Sequence, residues 1–287
     1  MKLVLTSKGN NANFISWLSE YKVLGDQIVI NVDTEKNVFQ STKASSKPET
    51  LRAINKISQI SFEDAGYSVT HDESNNTKVG IGIYAGFTSF IDFISAFSNS
   101  EHTITIEFAE ARGVNEAINI HFENNKFKLK YDCCDLDQLY VPDPAKLEYA
   151  YTLSKPVTID ITSEQLNDIN KVINLVYAKA SKDEYTQNLF CIKIVDGTAY
   201  FEDFKINAGG STYDPKYSIK IAENLDPSYN GVKIPAQNNV FTDAIKALPS
   251  FKTCQFVGEG DSQGFARIII YLADGSSLCM MGQQLPN

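Results

Sequence analysis

Few residues in this chain have the type and spacing that chemistry requires. The run Gly80-Ile-Gly-Ile-Tyr-Ala-Gly86 has the glycines of a dinucleotide-binding turn, but their spacing is wrong and two lie inside a strand pattern. Asp132, Asp135 and Asp137 form an acidic cluster that lacks the turn glycine and closing glutamate of a calcium loop. His71, His102 and His121 share no metal-ligand spacing, and there is no G-x-S-x-G elbow to expose a nucleophilic serine. The five cysteines, Cys133, Cys134, Cys191, Cys254 and Cys279, include no C-x-x-C pair and are odd in number. That pattern fits reduced thiols better than a disulfide framework or a zinc site. No enzyme activity, metal or cofactor is therefore expected. The informative feature is one of charge. Between Ser163 and Lys182, Lys171, Asn174, Ala178 and Lys182 recur at steps of three and four, a short, polar, basic stripe in a chain of net charge -9. An acidic balance argues against coating DNA with the whole surface, but leaves room for one basic face.

The element that carries this stripe is a helix. Leu166, Ile169, Ile173, Val176, Tyr177 and Ala180 fall on its opposite side at helical spacing. Thr162 or Ser163 can cap its start, Glu164 and Asp168 suit its positive end, and Lys179 and Lys182 its negative end. Taken alone, this is a solvated amphipathic helix. The chain repeats it, however. Helix patterns begin near residues 11, 87, 163 and 239, a period of 76, and a fixed period of a supersecondary unit is a signal about the whole fold. Phe14, Ile15, Leu18 and Tyr21 make the first apolar face; Phe87, Phe90, Ile91, Ile94 and Phe97 the second; Val240, Phe241, Ala244, Ile245 and Leu248 the fourth, stopped by Pro249.

Strand-like runs follow each helix: 27–32 and 37–42, then 103–109, 117–123 and 126–131, then 189–195, 199–204 and 217–222, then 253–257, 265–272 and 277–281. Strands at 79–84 and 156–161 precede the second and third helices. Asn124-Asn125 and Asp196-Gly197 are hairpin turns. Residues 51–62 fit a strand or a short helix, and 63–78 a polar loop or hairpin tip. Residues 132–155, with two prolines and five acidic side chains before Lys155, break the pattern and read as a connector. The 287 residues, 43% apolar, thus divide into an N-terminal domain (1–134), a connector (135–154) and a C-terminal domain (155–287). Each domain is α+β, with two helices against antiparallel sheets. No apolar run reaches bilayer length, and MKLVLTSKGNN does not read as a signal peptide.

With this organisation the chain resembles the DNA polymerase sliding clamps, most closely the trimeric clamps of tailed bacteriophages, which share the PCNA-like fold. The resemblance is carried by IYAGFTSFIDFISAF (83–97), PVTIDITSEQLNDINKVINLV (156–176), FCIKIVDGTAYFEDF (190–204) and KYSIKIAENLD (216–226). It runs from about residue 80 to about 226, and beyond that rests on the repeat. It implies a homotrimeric ring of six domains, with helices lining a hole for duplex DNA and sheets outside. Such a ring does no chemistry. It tethers a polymerase, which makes each rebinding event intramolecular, and it needs a clamp loader, since three acidic chains do not assemble around DNA unaided.

The resemblance further implies roles for particular residues. Lys22, Lys171, Lys179, Lys182, Lys246 and Lys252 become candidates to face phosphates without reading bases; the second helix offers only Ser89, Asp92 and Ser95. Lys43, Lys47, Arg52 and Lys56 form a second basic cluster, solvated or near the hole. A partner-peptide pocket would take Leu139, Tyr140, Val141 and Pro142 as one wall, and Met280, Met281 and Leu285 as another, unless these residues close the second domain's core. The runs 126–131 and 217–222 are the candidate edge strands for head-to-tail assembly. The expected location is the cytoplasm of a phage-infected bacterium. The rival reading is a structural or interaction protein on the same repeated unit, with no DNA role.

Overall fold

A helix of two or three turns does not persist in water unless its apolar side is buried, and each helix of the repeat is preceded by a strand of the sheets that bury it. In the computed structural model, which describes residues 1–45, 54–177, 189–204, 217–260 and 266–281, β1 (Lys2–Ser7) leads into α1 (Ala12–Ser19). β6 (Lys78–Ile83) leads into α2 (Phe87–Ser95). β10 (Val157–Thr162) leads into α4 (Ser163–Tyr177), and β14 (Lys233–Gln237) into α5 (Asn238–Lys246). The helix starts are spaced by 75, 76 and 75 residues. The described chain divides into two compact units, one of residues 1–46 and 56–142, the other of 47–55 and 143–287.

The first unit adds β2 (Ile28–Asp33), β3 (Val38–Ala44), β4 (Ile54–Ser61) and β5 (Tyr67–Asp72), then β7 (His102–Ala111), β8 (Val114–Glu123) and β9 (Lys128–Asp132). Its strands run in the order β4-β3-β2-β6-β8-β7-β1-β5. β8 takes β6 in a short parallel pairing at its start and β9 at its end, opposite β7. α1 and α2 lie side by side. Phe14 meets Phe39 at 4.5 Å and Tyr67 at 5.5 Å, and Phe97 stacks on Phe122 at 5.8 Å. Trp17, outside the expected apolar face, is also buried, donating from Nε1 to Ser58 Oγ at 2.8 Å.

The second unit adds α3 (Pro144–Tyr151), β11 (Leu189–Val195), β12 (Thr198–Phe204), β13 (Ser218–Ala222), β15 (Thr253–Gly260), β16 (Ala266–Leu272) and β17 (Ser277–Met281). One sheet runs β13-β12-β11-β14 and another path β10-β15-β16-β17. Asp196 and Gly197, both with positive φ, make the β11–β12 turn. α4 begins with a reciprocal cap: Thr162 Oγ1 accepts from Gln165 N, and Gln165 Oε1 accepts from Thr162 N at 2.9 Å.

Several expectations change. Three strands were not anticipated. β1 occupies the start of the chain; β5 lies in the segment read as a polar loop and pairs with β1; β14 carries Pro235, which demotes a strand pattern. Its neighbour β11 pairs with it regardless. The ambiguous residues 54–61 are strand. α4 packs on β10 and α5, and α5 covers the hairpin β11–β12: Phe241 sits 4.7 Å from Phe190 and 5.3 Å from Phe201. Because Phe241 is fully buried at the centre of this aromatic cluster, Phe241→Ala is expected to cost about 3–5 kcal/mol, read as a lowered midpoint of urea unfolding with unchanged slope.

Candidate nucleic-acid-facing helices and connector

The polar faces of the helices are set by what their apolar faces bury. On α1 the exposed residues are Ala12, Asn13 and Ser16; on α2, Thr88, Ser89 and Asp92; on α4, Glu164, Asn167, Asp168, Lys171, Asn174 and Leu175. α1 and α2 contain no lysine or arginine. Lys171 is exposed but lies 2.9 Å from Asp168, one turn earlier, and Lys246 on α5 lies 3.7 Å from Asp243. Such exposed pairs contribute little to stability, but each sets an aspartate beside the single lysine of its described helix and offsets its charge. Lys22 and Lys252 are exposed at turns after α1 and α5. Lys252 also supplies the carbonyl that accepts from Ser163 N at the start of α4, extending the β10–β15 pairing by one bond. Lys179 and Lys182 lie outside the described residues.

Two members of the second basic cluster are buried and not solvated. Lys56, on β4, is buried and pairs with Glu20 at 2.5 Å, its ammonium 4.6 Å from the Tyr21 ring. Lys43, on β3, is buried too and donates to the carbonyls of Gly25 (2.6 Å) and Tyr21 (3.3 Å). Sequence reading took them for surface charges because Lys is rarely fully buried unless paired, and the partners, a helix-end glutamate and two carbonyls, are not visible as a pattern. Lys47 and Arg52 lie outside the described residues.

The stretch expected to be a free connector is built onto its neighbours. Its first part forms a strap over β6 and β8. Cys133 N donates to Ile118 O and Cys134 N to Gly82 O, both at 3.0 Å. A 3₁₀ turn at Leu136–Gln138 follows, with Leu136 N donating to Glu116 Oε2 at 3.1 Å and Asp137 paired to Arg112. The strap needs bare backbone beneath it. A Cβ on Gly80 would stand 2.6 Å from Leu136 Cδ1, and one on Gly82 2.3 Å from the Cys134 carbonyl oxygen. The paired glycines that mimic a dinucleotide turn are thus strand glycines that let another segment approach closely, the signal that could have located the strap. The second part is α3, capped by Asp143, whose carboxylate accepts from Ala145 N at 2.9 Å.

The pocket candidates are placed unevenly. Leu139 is 8% exposed beside Gly82, Tyr140 is half-buried, Val141 is 49% exposed and Pro142 is buried, all in the first unit. Met280, in the second unit, is 1% exposed and opposite Ile268 on β16, a core position. Met281 ends β17, and Leu285 lies outside the described residues. Both candidate edge strands are edges: β9 pairs with β8 and β13 with β12, each on one side only among the described strands.

No protein-family model and no curated protein sequence matches the chain. Solved structures do. The PCNA2–PCNA3 complex of Sulfolobus tokodaii is similar with TM-score 0.57 at 10% identity, covering 99% of both chains. A. fulgidus PCNA bound to the C-terminal region of FEN-1 gives 0.56 at 11%, again over 99% of both. The DNA polymerase sliding clamp of Bacillus subtilis gives 0.61 at 9%, over 98% of this chain and 64% of that one. The chain has the sliding-clamp fold.

Because any side chain on Gly82 collides with the strap, Gly82→Ala should destabilise by about 1–3 kcal/mol, where the same change at an unencumbered strand position would be nearly neutral. Chemical unfolding of the variant measures this, and limited proteolysis at 132–142 should quicken in parallel.

Proposed function

We propose that this chain is a sliding clamp: three copies close head to tail into a ring that encircles duplex DNA and holds a replicative polymerase on it, without catalysis. The observation that carries the proposal is that the two strands read as assembly edges, β9 and β13, are both open, as β5, β10 and β14 also are among the described strands. Each unit sets two repeat helices against its strands, and the strands β9 in the first unit and β13 in the second each leave one row of backbone donors and acceptors unpaired among the described residues. Exposed edges are a liability in a monomer, and two different edges on one chain suit a heterologous contact that closes by rotation. The fold likeness to PCNA and β-clamp structures supports the same reading, as does a chain whose acidic charge disfavours DNA on its outside.

In this ring Lys22, Lys171, Lys246 and Lys252, with Lys179 and Lys182, face the phosphates, and the hydroxyl and amide side chains of α1 and α2 complete the wall. Partner peptides, such as the one carried by A. fulgidus PCNA, would dock near Val141, the most exposed apolar residue of the strap's end. A loader opens the ring, and the setting is the cytoplasm of a phage-infected bacterium. The competing reading, an interaction protein of the same fold without DNA, draws on the absence of lysine and arginine from α1 and α2.

Sedimentation equilibrium at micromolar concentration is expected to give about 96 kDa, three times the 31.9 kDa chain; a strict monomer would sink the ring. Once the trimer is seen, replacing Lys22, Lys171, Lys246 and Lys252 with Ala should slow loading onto primed circular DNA. It should also flatten the logarithmic salt dependence of loading, by about 0.9 in slope for each phosphate no longer neutralised. Unchanged loading in a trimer would favour the reading without DNA.

A further inference from the structure

The last turns of a helix leave carbonyls without partners. After α1 the Gly25 carbonyl, and the Tyr21 carbonyl that also accepts from Leu24 N, are both taken by one amine, Lys43 Nζ, reaching across from β3. Lys43 is 3% exposed. The loop it holds also caps the other helix of the unit: Asp26, next to Gly25, accepts from Gly86 N at 2.8 Å and Phe87 N at 3.0 Å at the start of α2. The Phe87 ring lies 5.3 Å from Nζ. One amine thus fastens the turn that carries Lys22, and through Asp26 that turn fastens α2.

We propose that Lys43 is a proton-operated latch between the two helices of the first unit, closed when its amine is neutral and loosened when the amine takes up a proton. A neutral amine has two N–H donors, which match the two carbonyls. A third proton brings a charge into a site with little water, and a buried cation is costly unless paired.

The charged and titratable groups around it do not supply a close pair. Asp26 attracts the ammonium from the loop without forming an ion pair within 4 Å among the described residues, while its carboxylate is engaged by the α2 amides. Glu20, at the end of α1, is taken by Lys56 of β4. The Tyr21 phenol is buried and pushed up by that burial. Lys22 is exposed, and the first turn of α2 carries no acidic residue. Burial outweighs Asp26, so the Lys43 amine is pushed down to about 7 from its ordinary 10.5.

The direction follows from linkage. The closed site binds its proton only below about 7, whereas the opened, solvated lysine binds one below about 10.5. Opening is therefore coupled to proton uptake, and it becomes easier as pH falls from 10.5 to 7. The proposal does not depend on the clamp reading, though in a ring it would loosen the turn that presents Lys22 to DNA.

Amide hydrogen exchange of the full chain tests it. After correction for intrinsic rates, exchange of Leu24, Gly25, Gly86 and Phe87 should be faster at pH 6 than at pH 8.5 by roughly thirtyfold, the ratio linkage gives for these two titration points. In Lys43→Met the corrected rates should be independent of pH. A flat wild-type profile, or a Lys43→Met profile as steep as wild type, would overturn the latch. Should the variant fail to fold, the lysine 15Nζ and 13Cε signals of the wild type decide: a Lys43 signal titrating near 7 supports the latch, and one titrating with the surface lysines refutes it.

Discussion

The fold depends on a helix too short to stand alone being laid on the sheet that its own preceding strand joins. α1, α2 and α5 span eight or nine residues, below the length at which an isolated helix is stable in water. Their apolar stripes must therefore be held by strands and by each other. This fixes a strand–helix unit, and repeating it sets two helices side by side within each compact unit. It also fixes which helix faces stay free, because a stripe committed to Phe39, Tyr67 and Phe122, or to Phe190 and Phe201, leaves the opposite side to solvent.

That constraint explains what could be read in advance. The apolar faces of α2 and α4 are legible because Phe87, Phe90, Ile91 and Ile94, or Leu166, Ile169 and Ile173, are large, buried and at helical spacing. The Asp196-Gly197 turn is legible because the backbone there needs positive φ at both positions. What escaped was long-range. β5 is a strand because β1 lies beside it; only Tyr67 of its six residues is buried, so no buried apolar face marks it. β14 is a strand despite Pro235 because β11 pairs with it along one side, where a proline is tolerated.

The candidate site was less legible than the fold, for a physical reason. A lysine's role depends on where its amine ends, four methylenes from the backbone. Lys43 and Lys171 look alike in sequence. One turns inward to two carbonyls, the other outward to an aspartate one turn away. Likewise Gly80 and Gly82 resemble a ligand-binding turn until the strap above them is seen. Close approach of backbone to glycine is the common element of both readings; what approaches is set by tertiary structure.

The charge distribution bears on how the proposed ring would hold DNA. Affinity for a duplex comes mainly from cations that displace counterions, yet α1 and α2 carry none, and Lys171 and Lys246 each share their charge with an acidic neighbour. A protein that binds by enclosure needs no strong affinity, because a closed ring leaves DNA only by opening or at an end. Weak, unspecific contacts then favour the function, since each tight phosphate contact would have to break at every step of sliding. Near-neutral helix faces on an acidic chain are poor design for a protein that must find and grip DNA alone. They are adequate for one placed on DNA by another machine and kept there by topology.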